Sequence, residues 1–315
     1  AFIQVHRNIH KLERDGSVLL TTGPTAASDT RVRRAQACAQ HSEAAVLISR
    51  ELIRRKIMSQ AELVIEGMAN DATADNIAHF AEMLYSADSL DSIRLLEAQA
   101  SFRYWQAWER VAITFPKTDL IRIPDHWLTF GTRRSPLSKN ARRATTPANA
   151  LLNYLYTLLE TETRLAINAL GLDAGLGLLH ADTASRDSLV YDLMEPIRPL
   201  VDAYLFRWIS QAPLKRSWFF EERDGKCRLM ADVCTQLADT VQTWSREIGP
   251  IAEWYVKELC SHMLDMSKLR RPGTRLTQER RRAAVGSAVP SNAPAPVHQN
   301  HCENCGALIA VTSKQ

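Results

Sequence analysis

The chain has 315 residues, 45% of them hydrophobic and 23% charged, with a formal net charge of +4. That balance is the one of a folded globular protein and excludes a disordered or fibrous chain. No apolar run approaches the roughly 20 residues of a membrane-spanning helix, so no membrane is expected as a partner.

The length suits one large domain or two unequal ones. Six cysteines, at 38, 227, 234, 260, 302 and 305, are too sparse for a secreted disulfide framework. The first four are singletons in helical contexts, the setting of reduced core thiols, and nothing resembles a signal peptide. A cytoplasmic location is the expectation.

In chain order, residues 1–25 read as a hairpin. FIQVH and SVLLTTG are β-prone runs around the turn signal Asp15-Gly16, and Gly23-Pro24 closes the unit. Two strands alone are marginal, so they are expected to be the remnant of an N-terminal β-sheet domain whose other strands precede residue 1. From about Thr30 the period becomes helical, with helices expected over 30–57, 59–69, 72–87 and 89–113. Residues 114–146 hold several prolines and read as an irregular connection. Helix 147–171 starts on Pro147 and stops on Gly171. A helix over 186–212 is expected to bend at Pro196 and Pro199, with further helices over 213–222 and 228–264. Beyond Pro272 the chain is poor in apolar residues and rich in Pro and Ala, as in a flexible tail. The expected fold is therefore mainly α: a helical domain over 26–267, the sheet remnant before it and the tail 268–315 after it.

Charge is unevenly spread. Residues 131–143 hold Arg133, Arg134, Lys139, Arg142 and Arg143 with no acid, and 268–282 hold seven Lys or Arg against Glu279. Such patches suit a phosphate backbone; solvated surface charge is the plainer alternative. Tyr104, Trp105, Trp108, Trp218 and Phe219 fall at positions that read as core rather than as a base-stacking platform.

The stretch from Gly171 to Pro199 carries the candidate chemistry. His180 ends a glycine-punctuated apolar run, and Asp192 and Glu195 follow, three apart in the frame SLVYDLME. On a helix that spacing puts both carboxylates on one face. Oxygen ligands with one imidazole suit Mg²⁺ or Mn²⁺ better than a structural zinc. Singly, each residue has an ordinary reading. His180 is then a satisfied loop histidine, Asp192 a surface acid or a partner of nearby backbone, and Glu195 the i+3 partner of Arg198. Glu97, near the apolar centre of helix 89–113, reads as an edge acid paired with Arg94.

EAQASFRYWQAW (97–108), PANALLNYLYTLLETETRLAINALGLDAGLGLLH (147–180), SLVYDLMEPIRPLVD (188–202) and RDGKCRL (223–229) occur in order over about residues 1–265. In these motifs the chain resembles the CRISPR-associated endonuclease and integrase family called Cas one. The resemblance implies a metal-dependent DNA endonuclease and integrase of CRISPR adaptation. Such an enzyme inserts short DNA into the repeat array by attack of a 3′-hydroxyl on a phosphodiester. It implies Glu97, His180 and Glu195 as ligands of Mg²⁺ or Mn²⁺, with Asp192 as an acidic neighbour in the site. It also implies double-stranded and branched DNA as substrate, a homodimer, and the small partner protein called Cas two. Two departures stand out. Ala98 follows Glu97 where the family often has glycine, and the N-terminal β domain is represented only by its last strands. A catalytically silent DNA-binding scaffold and a transposon-borne integrase of the same family are the alternatives.

The tail segment HQNHCENCG (298–306) sets Cys302 and Cys305 in a CxxC, with His298 and His301 nearby. It looks like one knuckle of a zinc ribbon without the second.

Overall fold

The computed structural model describes residues 2–5, 8–12, 18–21, 29–137, 139–141, 143–180, 186–263 and 273–287. Three short strands open it: β1 (Phe2–Val5), β2 (Asn8–Leu12) and β3 (Val18–Thr21), antiparallel in the order β1-β2-β3. The expected two-stranded hairpin is thus a three-stranded meander. Asn8–Leu12 is less apolar than the outer strands, and pairing on both sides makes it the middle strand.

Helix α1 (Thr30–Ala39) starts where Asp29 caps the amide of Arg31, and α2 (Glu43–Met68) follows as one 26-residue helix. The helical break thus falls at residues 40–42, not at 58. Ala44, Ile48, Leu52, Ile53, Ile57, Ala61 and Val64 run along α2 as an uninterrupted buried stripe, and packing carries the helix past that point. Ala69 ends it in the left-handed region, returning its amide to the last turn. Asn70 caps α3 (Asp71–Met83), and Ser89 with Ser92 forms a capping box for α4 (Leu90–Trp108).

α4 stops at Trp108, short of the expected end at 113, and residues 109–146 are irregular, as expected from 114 on, with two turns of 3₁₀ helix and one isolated bridge between Ala112 and Thr129. Helix α5 (Pro147–Ala169) begins on Pro147 behind a Thr146 cap and is buried on nearly every face. It is the central helix, packed on α6 (Ser188–Met194), α7 (Arg198–Gln211) and α9 (Val241–Met263); α2 packs on α3, α4 and α7. The bend expected near Pro196 is a full break: Glu195–Ile197 separate α6 from α7, because Pro196 has no amide to donate.

Residues 213–222 are not a helix. A 3₁₀ turn leads into β4 (Phe219–Glu221), which pairs with β5 (Cys227–Leu229) across Asp224-Gly225-Lys226, where Gly225 has φ +83°. Cys227 accordingly lies buried on a strand rather than on a helix. α8 (Ala231–Ala238) precedes α9, which splits the expected 228–264 helix.

Tyr104, Trp108 and Phe219 are buried, and Trp105 and Trp218 are partly buried against the core, so the aromatics are core as expected. The chain divides into two units, Ala1–Leu276 and Thr277–Gln315. The described part of the expected tail is α10 (Arg275–Ser287), while Cys302, Cys305, His298 and His301 lie outside the described residues. Among the described residues, no helix is long and apolar enough to cross a membrane.

Candidate active site

Gly171 ends α5 with φ +74°, and the chain turns into the loop that carries His180. Gln36 of α1 pins this loop: its amide donates to the carbonyls of Asp173 (2.7 Å) and Leu176 (2.9 Å) and accepts from the Asp173 amide (3.0 Å). Gly177 passes so close to α6 that an added Cβ would stand 2.7 Å from Ser188 Cβ and 3.0 Å from Asp192 Oδ2. Only glycine admits that approach.

Asp192 is fully buried, and its carboxylate holds the end of the loop. Oδ2 accepts the amides of Leu178 (2.6 Å) and Leu179 (3.0 Å), and Oδ1 accepts the amide of His180 (3.0 Å). Oδ1 also lies 2.6 Å from His180 Nδ1. An acceptor carboxylate at Nδ1 keeps the imidazole proton there and leaves the Nε2 lone pair free. Of the alternatives open from sequence, Asp192 is therefore the backbone partner. Arg94 ties the same loop to α4, donating to the Leu179 carbonyl (2.6 Å) and pairing with Asp91 (2.6 Å). It is not the partner of Glu97.

Glu97 and Glu195 meet through Lys56. The Lys56 ammonium, from the buried stripe of α2, is hydrogen-bonded to Glu97 Oε1 and lies 2.6 Å from Glu195 Oε2. Ser101 donates to Glu97 Oε1 (2.8 Å). The other Glu195 oxygen, Oε1, lies 3.4 Å from Arg198 Nε and 3.9 Å from His180 Nε2. The i+3 pairing of Glu195 with Arg198 is thus present, within a larger cluster. Burial works against the Glu195 charge, but chiefly Arg198 and Lys56 outweigh it and bring its pKa down to about 2. Burial likewise opposes the Lys56 charge, and Glu195 and Glu97 reverse it, raising the pKa.

Behind this cluster lies a second one. Tyr156 and Tyr104 donate to the two oxygens of buried Asp202, at 2.5 and 2.8 Å. The guanidinium groups of Arg198 and Arg133 lie 5.1 and 5.6 Å from the Tyr156 ring centroid. Arg133 also donates to Asn149 (3.1 Å) and faces Trp105.

The five basic residues of the 131–143 segment consequently do not act alike. Arg133 is partly buried, packed toward Trp105 and Tyr156 and bonded to Asn149, and burial lowers its pKa. Arg134 and Lys139 are exposed, Arg143 is exposed and paired with Asp224, and Arg142 lies outside the described residues.

Residues 1–243 match the family model described as CRISPR associated protein Cas1. The chain belongs to the Cas1 family. It is 33% identical over 238 residues to the CRISPR-associated endonuclease Cas1 2 of Rhodospirillum rubrum, covering 70% of this chain and 63% of that one. The chain spans under two thirds of the length of the curated Cas1 relatives it matches first. Among solved structures, a casposase bound to integration product superposes with TM-score 0.60 at 23% identity, over 82% of this chain and 77% of that one. A partial Cas6-RT-Cas1–Cas2 complex gives TM-score 0.57 at 19% identity, over 83% and 81%. These likenesses show a shared Cas1 fold.

The donor types that Glu97, Glu195 and His180 offer, carboxylate oxygens and one imidazole nitrogen, are the types that suit Mg²⁺ or Mn²⁺. The structure already holds a cation between the carboxylates, the Lys56 ammonium, so the position is electrostatically built for positive charge. Among the described residues, no three His, Cys, Asp or Glu side chains are drawn together as a ready-made metal site. The residue that sequence reasoning missed is Lys56. Its signal is a polar row, Ser49, Lys56 and Gln60, set into the otherwise apolar face of α2.

Proposed function

We propose that this chain is a metal-dependent DNA endonuclease and integrase of CRISPR adaptation, inserting short DNA into a repeat array. The observation that carries the reading is the junction of Glu97 from α4 and Glu195 from the end of α6 through Lys56, with His180 Nε2 from the loop after α5 at 3.9 Å from the other Glu195 oxygen, in a chain of the Cas1 family.

A DNA 3′-hydroxyl, or water in the nuclease mode, attacks a phosphodiester in line, with no covalent enzyme intermediate. Glu97, His180 and Glu195 would hold Mg²⁺ or Mn²⁺, which when bound supplies Lewis acidity to the nucleophile and the phosphoryl oxygens. The chain's own residues prepare that arrangement. Asp192 keeps the His180 proton at Nδ1, and Arg94 clamps the loop end to α4. Arg198 keeps Glu195 ionised within a buried setting. Arg134 and Lys139 hold the DNA backbone without reading sequence. Their segment is rooted beside the site, because Arg133 packs on the same tyrosine as Arg198.

Double-stranded and branched DNA, a second copy of the chain and Cas2 are the proposed partners, in line with the Cas1–Cas2 complex among the structural neighbours. A second reading, a transposon-borne integrase, is favoured by the casposase likeness. Strand transfer into repeat-array DNA, and not into unrelated targets, separates the two.

The deciding experiment is metal-dependent nicking and strand transfer on branched DNA. Glu97→Ala and His180→Ala are expected to abolish it while leaving salt-sensitive DNA binding in place. Wild-type activity in both variants would sink the site. An inactive wild type that still binds DNA would make the chain a scaffold.

A further inference from the structure

Lys56 is where α2, α4 and the end of α6 meet, and the proposed chemistry gives it no part. It lies on the buried stripe of α2 and is only 7% exposed. A lone ammonium there would be strongly unfavourable, and so would two facing carboxylates with no counter-charge. Together they balance: Glu97 and Glu195 contribute two negative charges, Lys56 and Arg198 two positive ones.

The two cations are held differently. Arg198 lies against the Tyr156 ring and approaches Glu195 through Oε1, the oxygen that also faces His180. Lys56 approaches from the other side, at Oε2, and bridges to Glu97. Lys56 Nζ occupies one oxygen of each carboxylate, so a divalent ion drawing on the same pair would compete with it for those oxygens, and repulsion between two cations at such range is large. The four-carbon stem of lysine lets its ammonium withdraw, whereas a stacked guanidinium stays in place.

Resting on the metal-site reading above, we infer that Lys56 is a tethered counter-ion that keeps Glu97 and Glu195 assembled in the metal-free protein and is displaced when a divalent cation binds. The site then needs no metal to stay formed, and metal affinity is set by competition with the chain's own cation.

The test uses the full chain with Lys56→Met, and with Lys56→Gln as a second variant should the first not fold. Mn²⁺ binding is followed by calorimetry, and melting with and without Mn²⁺ gives a readout independent of DNA cleavage. Without metal, either variant is expected to melt below wild type, and Mn²⁺ is expected to restore it. Removing the competitor is expected to tighten Mn²⁺ binding by about 10-fold or more, with His180→Ala weakening it in both backgrounds. Wild-type or weaker Mn²⁺ affinity in the Lys56 variants overturns the inference while the metal-site reading stands. If neither wild type nor variants bind Mn²⁺ through His180, the metal-site reading falls, and the inference with it.

Discussion

His180 Nδ1 lies 2.6 Å from Asp192 Oδ1, and the same carboxylate accepts three successive backbone amides, those of Leu178, Leu179 and His180. One buried acid thus sets both the path of the loop and the tautomer of its imidazole. A carboxylate so occupied has no oxygen to spare for an ion. Its part is to position His180.

Replacing Asp192 should therefore act through His180. Asp192→Asn keeps the size but loses the charge that holds the imidazole proton at Nδ1. It is expected to lower Mn²⁺ affinity by roughly 10–100-fold, the usual cost of removing a partner behind a ligating histidine. Calorimetric titration checks this. Unchanged affinity would mean that the tautomer is set some other way.

The basic segment should separate by burial. Arg134→Ala and Lys139→Ala are each expected to reduce the salt dependence of DNA binding by about one unit of slope. Arg133→Ala should leave that slope alone and instead destabilise the fold by roughly 1–3 kcal/mol, because it empties the space between Trp105 and Tyr156 and removes the partner of Asn149. Binding measured across a salt series, together with urea unfolding, distinguishes the two classes.

Asp202 gives the chain a pH dependence of definite sign. Burial raises its pKa from 3.8 to about 6, against the opposing pull of Tyr156, Tyr104, Arg133 and Arg198. A carboxyl raised in the folded state contributes stability that is complete below its unfolded value and is lost as pH rises through 6. Asp202→Asn lacks that loss. Relative to wild type, it is expected to gain stability between pH 4 and pH 6.5, by up to roughly 3 kcal/mol. Urea unfolding at several pH values measures it, and a difference that does not change with pH would refute it.

Much of this architecture is legible residue by residue. Pro147 and Gly171 bracket α5 closely, and the apolar period from Leu90 to Trp108 marks α4. Three-residue spacing puts Asp192 and Glu195 on one turn at the end of α6. These are local properties, decided by backbone dihedrals and by side chains one turn apart, so they are written in consecutive residues. The strand at Phe219–Glu221 was not legible, because three residues form a strand only when Cys227–Leu229 returns to pair with them.

The sequence by itself determined the helical body, the motifs of the Cas1 family and the three candidate ligands Glu97, His180 and Glu195. Only the tertiary structure decided what each meets. Lys56, 41 residues from Glu97, becomes its ion partner, Asp192 turns to the backbone, and Arg133 points inward where its neighbours point out. The reason is physical. A buried charge is tolerable only beside its counter-charge, and that partner is chosen by how α2, α4, α5 and α6 pack together, a relation between distant segments that no local spacing records.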